Sequence, residues 1–413
     1  LWRIARALIT TVIVVINGRL YYTSYTARAA DVPAQLAFIR HALENGAADE
    51  MQAFFPEGYF FSYALYGLAW TNIGWRTPAL RETAIEQARW AIAALDSPRG
   101  RAPFSPSLDP PYGVFYVGWM NWLRVSVLLA QPENARDADI IAAVERDSQA
   151  LAQAFESSPI PFLEAYPNSA WHVDNIVAIA SLARHDTVLP PRYSDFIADW
   201  RTQAQSYLDL YTGLFPHRLD PTRGLGVIVD GTRGSSSSLI AYFLPYIDPQ
   251  WGLDYYTTFR GQFVTTVLGV PGVREYPIGQ DGAGDVDSGP LIAGISLSST
   301  VVTAAAASAN GDHEVADALL NAGEALGMPI DIGGMKRYAF GVLPIGDAFL
   351  AWAKTPDTPA APMGGYWEII SPSWRVPIHV ISMAVIVGLW WRALWRRGAN
   401  RTPAKGATGF IAP

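Results

Sequence analysis

The chain has 413 residues, of which 50% are hydrophobic, 12% aromatic and 16% charged. With 15 Trp and 19 Tyr it is too apolar for disorder, and it is long enough for one large domain or two ordinary ones. A net charge of -7 leaves no broad basic surface for a phosphate backbone, so no nucleic-acid partner is expected. The absence of cysteine removes disulfides, thiolate metal sites and cysteine nucleophiles together.

At the N-terminus, Arg3 and Arg6 precede an apolar run, 7–16, that ends in Asn17, Gly18 and Arg19. Residues 1–30 fit a signal anchor; the alternative is a signal peptide cleaved at Ala27-Arg28-Ala29.

Six stretches then resemble one another: 59–75, 112–129, 175–183, 235–247, 288–310 and 338–353. Arg124 and Asp347 are the only Lys, Arg, Asp or Glu inside them. Their starts lie about 50 to 65 residues apart, a repeat-length period. Between them, 32–45, 78–96, 133–156, 191–211, 252–267 and 312–326 carry most of the charge on one side of an apolar stripe. Ala84, Ala88, Ala91 and Leu95 recur at helical spacing, while Arg81, Glu82, Glu86 and Arg89 face elsewhere. Pro78, Pro191 and Pro290 suit first-turn positions. A helix without charge must be buried all round, and an amphipathic one buries a single stripe. Six inner helices sheathed by six outer ones meet both demands, so the expected fold is an all-α (α/α)6 toroid over 31–355. Gly294, Ser298 and residues 304–307 would let inner helices approach closely. A polytopic membrane protein is the rival reading, but 175–183 and 235–247 are too short to cross.

Residues 356–375, with Pro356, Pro359, Pro362, Gly364 and Gly365, form a linker to an apolar run at 376–395. That run reads as a transmembrane helix with Trp390, Trp391 and Trp395 at one interface and Arg392 snorkelling; a buried C-terminal helix is the alternative. The tail 396–413 holds Arg396, Arg397, Arg401 and Lys405 and no acid. Basic outer flanks place the tail in the cytoplasm and the main domain outside the cell membrane, with lipid as a partner through both terminal helices.

The alternation, with the segments YPNSAWHVDN (166–175), REYPIGQDGAGDVDSGP (274–290) and IGDAFLAW (345–352), resembles the six-hairpin toroid superfamily of glycosidase-like proteins over residues 31–355. The linalool dehydratase/isomerase-like branch belongs to that superfamily, but its activity is associated with cysteines that this chain lacks. The resemblance implies a funnel at the inner-helix N-termini where the ligand binds.

That funnel selects Glu57, Tyr59, Asp109, Tyr112, Trp171, His172, Asp174, Asp230, Arg233, Arg274, Glu275, Tyr276, Asp281, Asp285, Asp287, Lys336, Arg337 and Tyr338. Acids and aromatics suit a saccharide: rings stack on sugar faces, and two carboxyl groups flank the scissile bond. The expected roles are Asp287 as acid and Asp174 as base, with Glu275 in reserve, kept ionised by Arg274. Trp171, His172, Arg233, Tyr276, Asp285, Tyr112 and Tyr59 are the expected ligand contacts. Helix capping competes for Asp174, Asp287 and Ser288, and a calcium loop competes for 281–287. Asp347, in an uncharged helix, needs a partner or a raised pKa. The serines of 235–238 have no paired His in the local sequence and read as a loop and cap. No cofactor and no metal site are expected. The leading function is a membrane-anchored, extracytoplasmic glycoside hydrolase-like enzyme. The alternatives are a lyase or dehydratase/isomerase-type enzyme on the same toroid, or a non-catalytic binding or scaffold module.

Overall fold

The alternation of uncharged and amphipathic segments becomes an alternation of helices in the computed structural model, which describes residues 2–23, 31–356 and 373–399. In chain order the helices are α1 (Trp2–Thr23), α2 (Val32–Glu44), α3 (Ala47–Phe54), α4 (Gly58–Arg76), α5 (Arg81–Leu95), α6 (Pro98–Arg101), α7 (Gly113–Ala130), α8 (Ala138–Ser157), α9 (His172–Val188) and α10 (Ser194–Ala204). They continue as α11 (Gly234–Ile247), α12 (Pro249–Phe263), α13 (Leu297–Ala309), α14 (His313–Leu326), α15 (Pro344–Ala353) and α16 (Val376–Ala399). The protein is mostly helical.

The uncharged helices are buried on nearly every face. In α7 every residue from Gly113 to Leu128 is buried, including Trp119, Trp122 and Arg124. The amphipathic helices bury one stripe, as in α5, where Ala84, Ala88, Ala91 and Leu95 are inside. Helix α4 packs on α7, α7 on α9, α9 on α11, α11 on α13, α13 on α15, and α15 back on α4. Small residues set the separations. A Cβ on Gly118 would lie 2.9 Å from Ala178 Cβ, so α7 and α9 meet backbone to backbone. Ala304, Ala305, Ala306 and Ala307 of α13 are buried in the same way.

Three small antiparallel sheets interrupt the helical reading. They order as β1 (Ala170–Trp171), β2 (Arg218–Asp220) and β3 (Val227–Asp230); as β4 (Val264–Val267), β5 (Val270–Arg274) and β6 (Ile295–Ser296); and as β7 (Ile330–Ile332) with β8 (Met335–Arg337). Two of their turns are two-residue hairpins with both central residues at positive φ, Leu268-Gly269 and Gly333-Gly334. Glycine there lets the strands twist correctly. The amphipathic segment 252–267 is therefore helix only to Phe263, and 288–310 is helical only from Leu297. Pro191 and Pro290 lie before their helices rather than in a first turn, whereas Pro78 opens a 3-10 turn. Gly294 (φ 79°) sits in the turn before β6 and brings no helices together.

At the ends, α1 runs unbroken through Asn17, Gly18 and Arg19 and packs against α16. Arg6 Nη1 donates to Leu389 O at 3.2 Å, Trp390 Nε1 to Thr10 Oγ1 at 2.9 Å, and His379 Nδ1 to Asn17 Oδ1 at 2.6 Å. Low numbers in α1 meet high numbers in α16, so the pair is antiparallel. Its outer faces show Ile4, Leu8, Val12, Val15, Val380, Met383 and Val387 to the surroundings. Trp2–Tyr22 is long and apolar enough to cross a membrane; Gly113–Ala130 is too, but it is 94% buried and is a core helix. The proposed cleavage site at 27–29, most of the linker (357–372) and the tail beyond Ala399 lie outside the described residues.

Candidate active site

The chain brings three carboxyl groups to one tyrosine. Glu57 stands at the N-cap of α4, Asp174 in the first turn of α9, and Asp287 in the loop that leads to β6. The Tyr166 hydroxyl donates to Glu57 Oε1. Burial, then the Glu57, Asp174 and Asp287 charges, hold the Tyr166 phenol far above its ordinary pKa, so it stays a donor.

Each acid is pushed up. Burial raises Glu57, offset in part by the Tyr166 hydrogen bond. Burial raises Asp174 well above the carboxylate range; Glu57 and Asp287 push it further, and the Trp119 indole pulls the other way. Asp287 reaches about 7 through burial and the charges of Asp285, Glu57 and Glu275, against Arg233. Its side chain is nevertheless 45% exposed and open to solvent. Each ionised acid raises the pKa of its neighbours, so the three oppose one another's ionisation.

The loop 281–290 is held by other contacts. Asp285 Oδ1 accepts from the backbone N–H of Asp287 and Ser288 at 3.1 Å each, and Asp285 Oδ2 accepts from Arg233 Nη1. Arg233 Nη2 also donates to Tyr276 Oη at 2.9 Å, and that hydroxyl donates to Ala283 O at 2.8 Å. Gly282 lies flat on this ring, where a Cβ would fall 2.3 Å from Tyr276 Cζ. Arg233 and the two N–H groups keep Asp285 below the usual carboxylate range despite partial burial. The three loop acids do not share a centre: Asp281 pairs with Arg274 at 2.6 Å, Asp285 with Arg233, and Asp287 faces His217. Among the described residues no group of three or more acids and histidines is placed to hold a metal ion.

Several expected assignments change. Glu275 is completely buried: Oε2 accepts from Ser235 N at 3.1 Å and Ser299 Oγ at 3.0 Å, and Oε1 from Ser235 Oγ at 2.8 Å. It ties β5 to the first turn of α11, and burial raises its pKa rather than an arginine lowering it. The nearest guanidinium is Arg233 at 3.9 Å, not Arg274. Asp174 cannot serve as an ionised base while burial and two neighbouring acids favour its protonated form. His172 is 1% exposed and wedged between Phe162 and Phe215, with ring centroids at 4.4 and 5.4 Å. Burial lowers its pKa to about 3, against weak contacts with the His217 and Pro216 backbone, so it is a neutral core ring and not a ligand contact. Tyr59 is turned toward Tyr63, Arg99 and Asp49, away from the cluster. Tyr112, at φ 76°, packs on Tyr116 under Arg101. Trp171 does reach the site: its ring meets Tyr166 edge-on at 5.8 Å. Helix capping falls to neither Asp287 nor Asp174: Ser296 caps α13, and Trp171 holds the N-cap of α9.

Two residues were passed over. Tyr166 sat within a segment of interest without a role, and His217 stood alone in the sequence. The structure places His217 Nδ1 2.5 Å from Ser236 Oγ, Trp171 Nε1 3.2 Å from His217 Nε2, and Asp287 Oδ2 3.6 Å from the same Nε2. So the serine segment does have a histidine beside it.

No family model matches the chain, and no curated protein matches its sequence. Function is therefore legible only in the chemistry of the site itself.

Proposed function

We propose that the closed circuit of uncharged helices is an (α/α)6 toroid whose carboxyl cluster is the active site of a glycoside hydrolase-like, carbohydrate-active enzyme. The observation that carries this is the convergence of Glu57, Asp174 and Asp287, from three distant segments, on Tyr166 beside Trp171. Glycoside cleavage needs one protonated and one ionised carboxyl group. Asp287, shifted to about 7 and open to solvent, is the acid. Glu57, kept partly down by its Tyr166 bond, is the ionised partner. Asp174, buried, stays protonated, and Trp171 offers a face for the sugar ring. Arg233 is already engaged by Asp285, so an anionic substrate would meet mostly acids, and within the lyase alternative a substrate bearing carboxylates is disfavoured.

In this reading α1 and α16 tether the domain to the cell membrane as an antiparallel hairpin. Their apolar outer faces contact lipid, with Arg3 and Arg6 at the cytoplasmic end of α1.

The test uses the full chain in detergent against a panel of neutral and amino-sugar glycosides. Hydrolysis by the wild type should fall about 100- to 10,000-fold in Glu57→Gln and in Asp287→Asn with the fold intact. Turnover that survives both substitutions defeats the proposal.

A further inference from the structure

We infer that the glycoside taken by the carboxyl cluster is an amphiphile: its saccharide sits at Glu57 and Asp287, and its aglycone is a lipid chain held by an apolar rim on the loops that open α13 and α15. This rests on the reading of the cluster as a glycosidase site and adds the substrate class, which that reading leaves open.

The rim is confined to one end of the domain. Val286, Ile292 and Leu297 lie before and at the start of α13, and Phe340, Val342 and Leu343 lead into α15; each is more than half exposed. The two helices pack on each other. The segments that follow the uncharged helices at the other end, 77–80, 131–137, 189–193, 248 and 310–312, expose no large apolar side chain. Single exposed apolar residues are ordinary on a protein surface, but a group of them gathered beside a polar site marks a binding surface.

The rim adjoins the acids. Val286 precedes Asp287, and Ser298 Oγ donates to Asp287 O at 2.6 Å, which brings Leu297 to the same loop. On the other side Phe61, one turn after Glu57, meets Phe349 of α15 with ring centroids 5.6 Å apart, and both are only partly buried. An occupant that reaches from the acids to the rim needs a polar end and an apolar end.

The terminal helices say what the apolar end is. Both Nη atoms of Arg19 in α1 donate to Pro329 O at 3.3 Å, just before β7, and the β7–β8 hairpin runs into the Tyr338 loop that opens α15. A Cβ on Gly269, in the β4–β5 turn, would lie 2.9 Å from Trp374 O, just before α16. Strand β5 pairs with β6, which runs into Leu297. Both tethers therefore join the domain at the strands that feed the rim. With α1 and α16 in a membrane, a chain anchored in the same lipid reaches the rim while its sugar stays at the polar surface.

The experiment separates this inference from the glycosidase reading. Full-length Asp287→Asn in phosphatidylcholine nanodiscs is given octyl β-D-glucoside carrying a diazirine at the chain end, below its micelle concentration, and the labelled residues are found by mass spectrometry. No turnover is needed, so the result holds whether or not any glycoside is hydrolysed. Saturable labelling at 286–297 and 340–343 is expected, at least about tenfold over Leu210 and Tyr211 in the loop after α10, which are 97% exposed. Labelling of Leu210 and Tyr211 as strong as that of the rim, or an unlabelled rim, overturns the inference. Kinetics give the second readout. A methylene moved from water into apolar contact is worth about fourfold, so three or four of them give octyl over methyl glycosides a preference of about 100-fold in kcat/KM. Leu297→Ser with Phe340→Ser, both exposed positions, should cut that preference at least about tenfold in the same nanodiscs, where partition into lipid cancels. Equal hydrolysis of methyl and octyl glycosides, or a preference unchanged in the double variant, refutes the lipid chain and leaves the glycosidase reading standing.

Discussion

Asp347 offers the sharpest quantitative test. It lies in the first turn of α15, 1% exposed. Its Oδ1 accepts from Tyr338 N at 3.1 Å and from Gln35 Nε2 at 3.3 Å, while Oδ2 has no partner among the described residues. Burial outweighs these bonds and the nearby Lys354 and Arg337, raising the pKa from 3.8 to about 7. The sign follows from linkage. Below the ordinary value both folded and unfolded forms are protonated, and nothing is lost. As pH rises through that value the unfolded chain ionises first and folding stability falls, until the folded group also ionises near 7. A shift of about 3 units corresponds to about 4 kcal/mol in all, of which about 2.6 kcal/mol falls between pH 5 and 8. Asp347→Asn removes the charge and keeps the acceptor for Tyr338 N. Urea unfolding of both proteins in detergent at the two pH values isolates the effect. The variant should gain about 2.6 kcal/mol over the wild type as pH rises from 5 to 8. A stability difference that is flat with pH, or that moves the other way, refutes the reasoning.

Two further outcomes follow from contacts elsewhere. Asp312 pairs with Arg260 at 2.7 Å, accepts from Tyr256 Oη at 2.8 Å and caps α14 through Val315 N, all in the interior. Asp312→Ala should cost about 3–5 kcal/mol in denaturant unfolding, because a buried ion pair and a helix cap are removed together; a cost under about 1 kcal/mol would show the pair to be dispensable. Because the chain has no cysteine, the α1–α16 register can be read without background. Asn17→Cys with His379→Cys should cross-link through a short bismaleimide in membranes. Thr10→Cys with His379→Cys, about 10 Å further along α1, should not; the reverse pattern would exclude the antiparallel pairing.

Much of the helical plan was written in the sequence, because absence of charge on every face of a segment is a local property that only burial on every side can accommodate. The same locality carried the α5 stripe and the apolar helices at both ends. The small sheets were missed where the hydrophobic pattern was followed past its turn signals: Leu268-Gly269 and Gly333-Gly334 were legible as hairpin turns. The site was legible only as a candidate set. Proximity to an inner-helix start selected Glu57, Asp174, Glu275 and Asp287 alike, yet Glu57, Asp174 and Asp287 act on Tyr166 while Glu275 is sealed between β5 and α11. That difference depends on strand pairing between Arg274 and Ile295, which no local pattern encodes. His172 and His217 reversed their apparent importance for the same reason. A histidine's role depends on what its two nitrogens meet, and those partners come from segments 19 to 70 residues away. Composition and periodicity determined which helices are buried; the closing of the chain on itself decided which buried acids meet, and so which of them keep a proton.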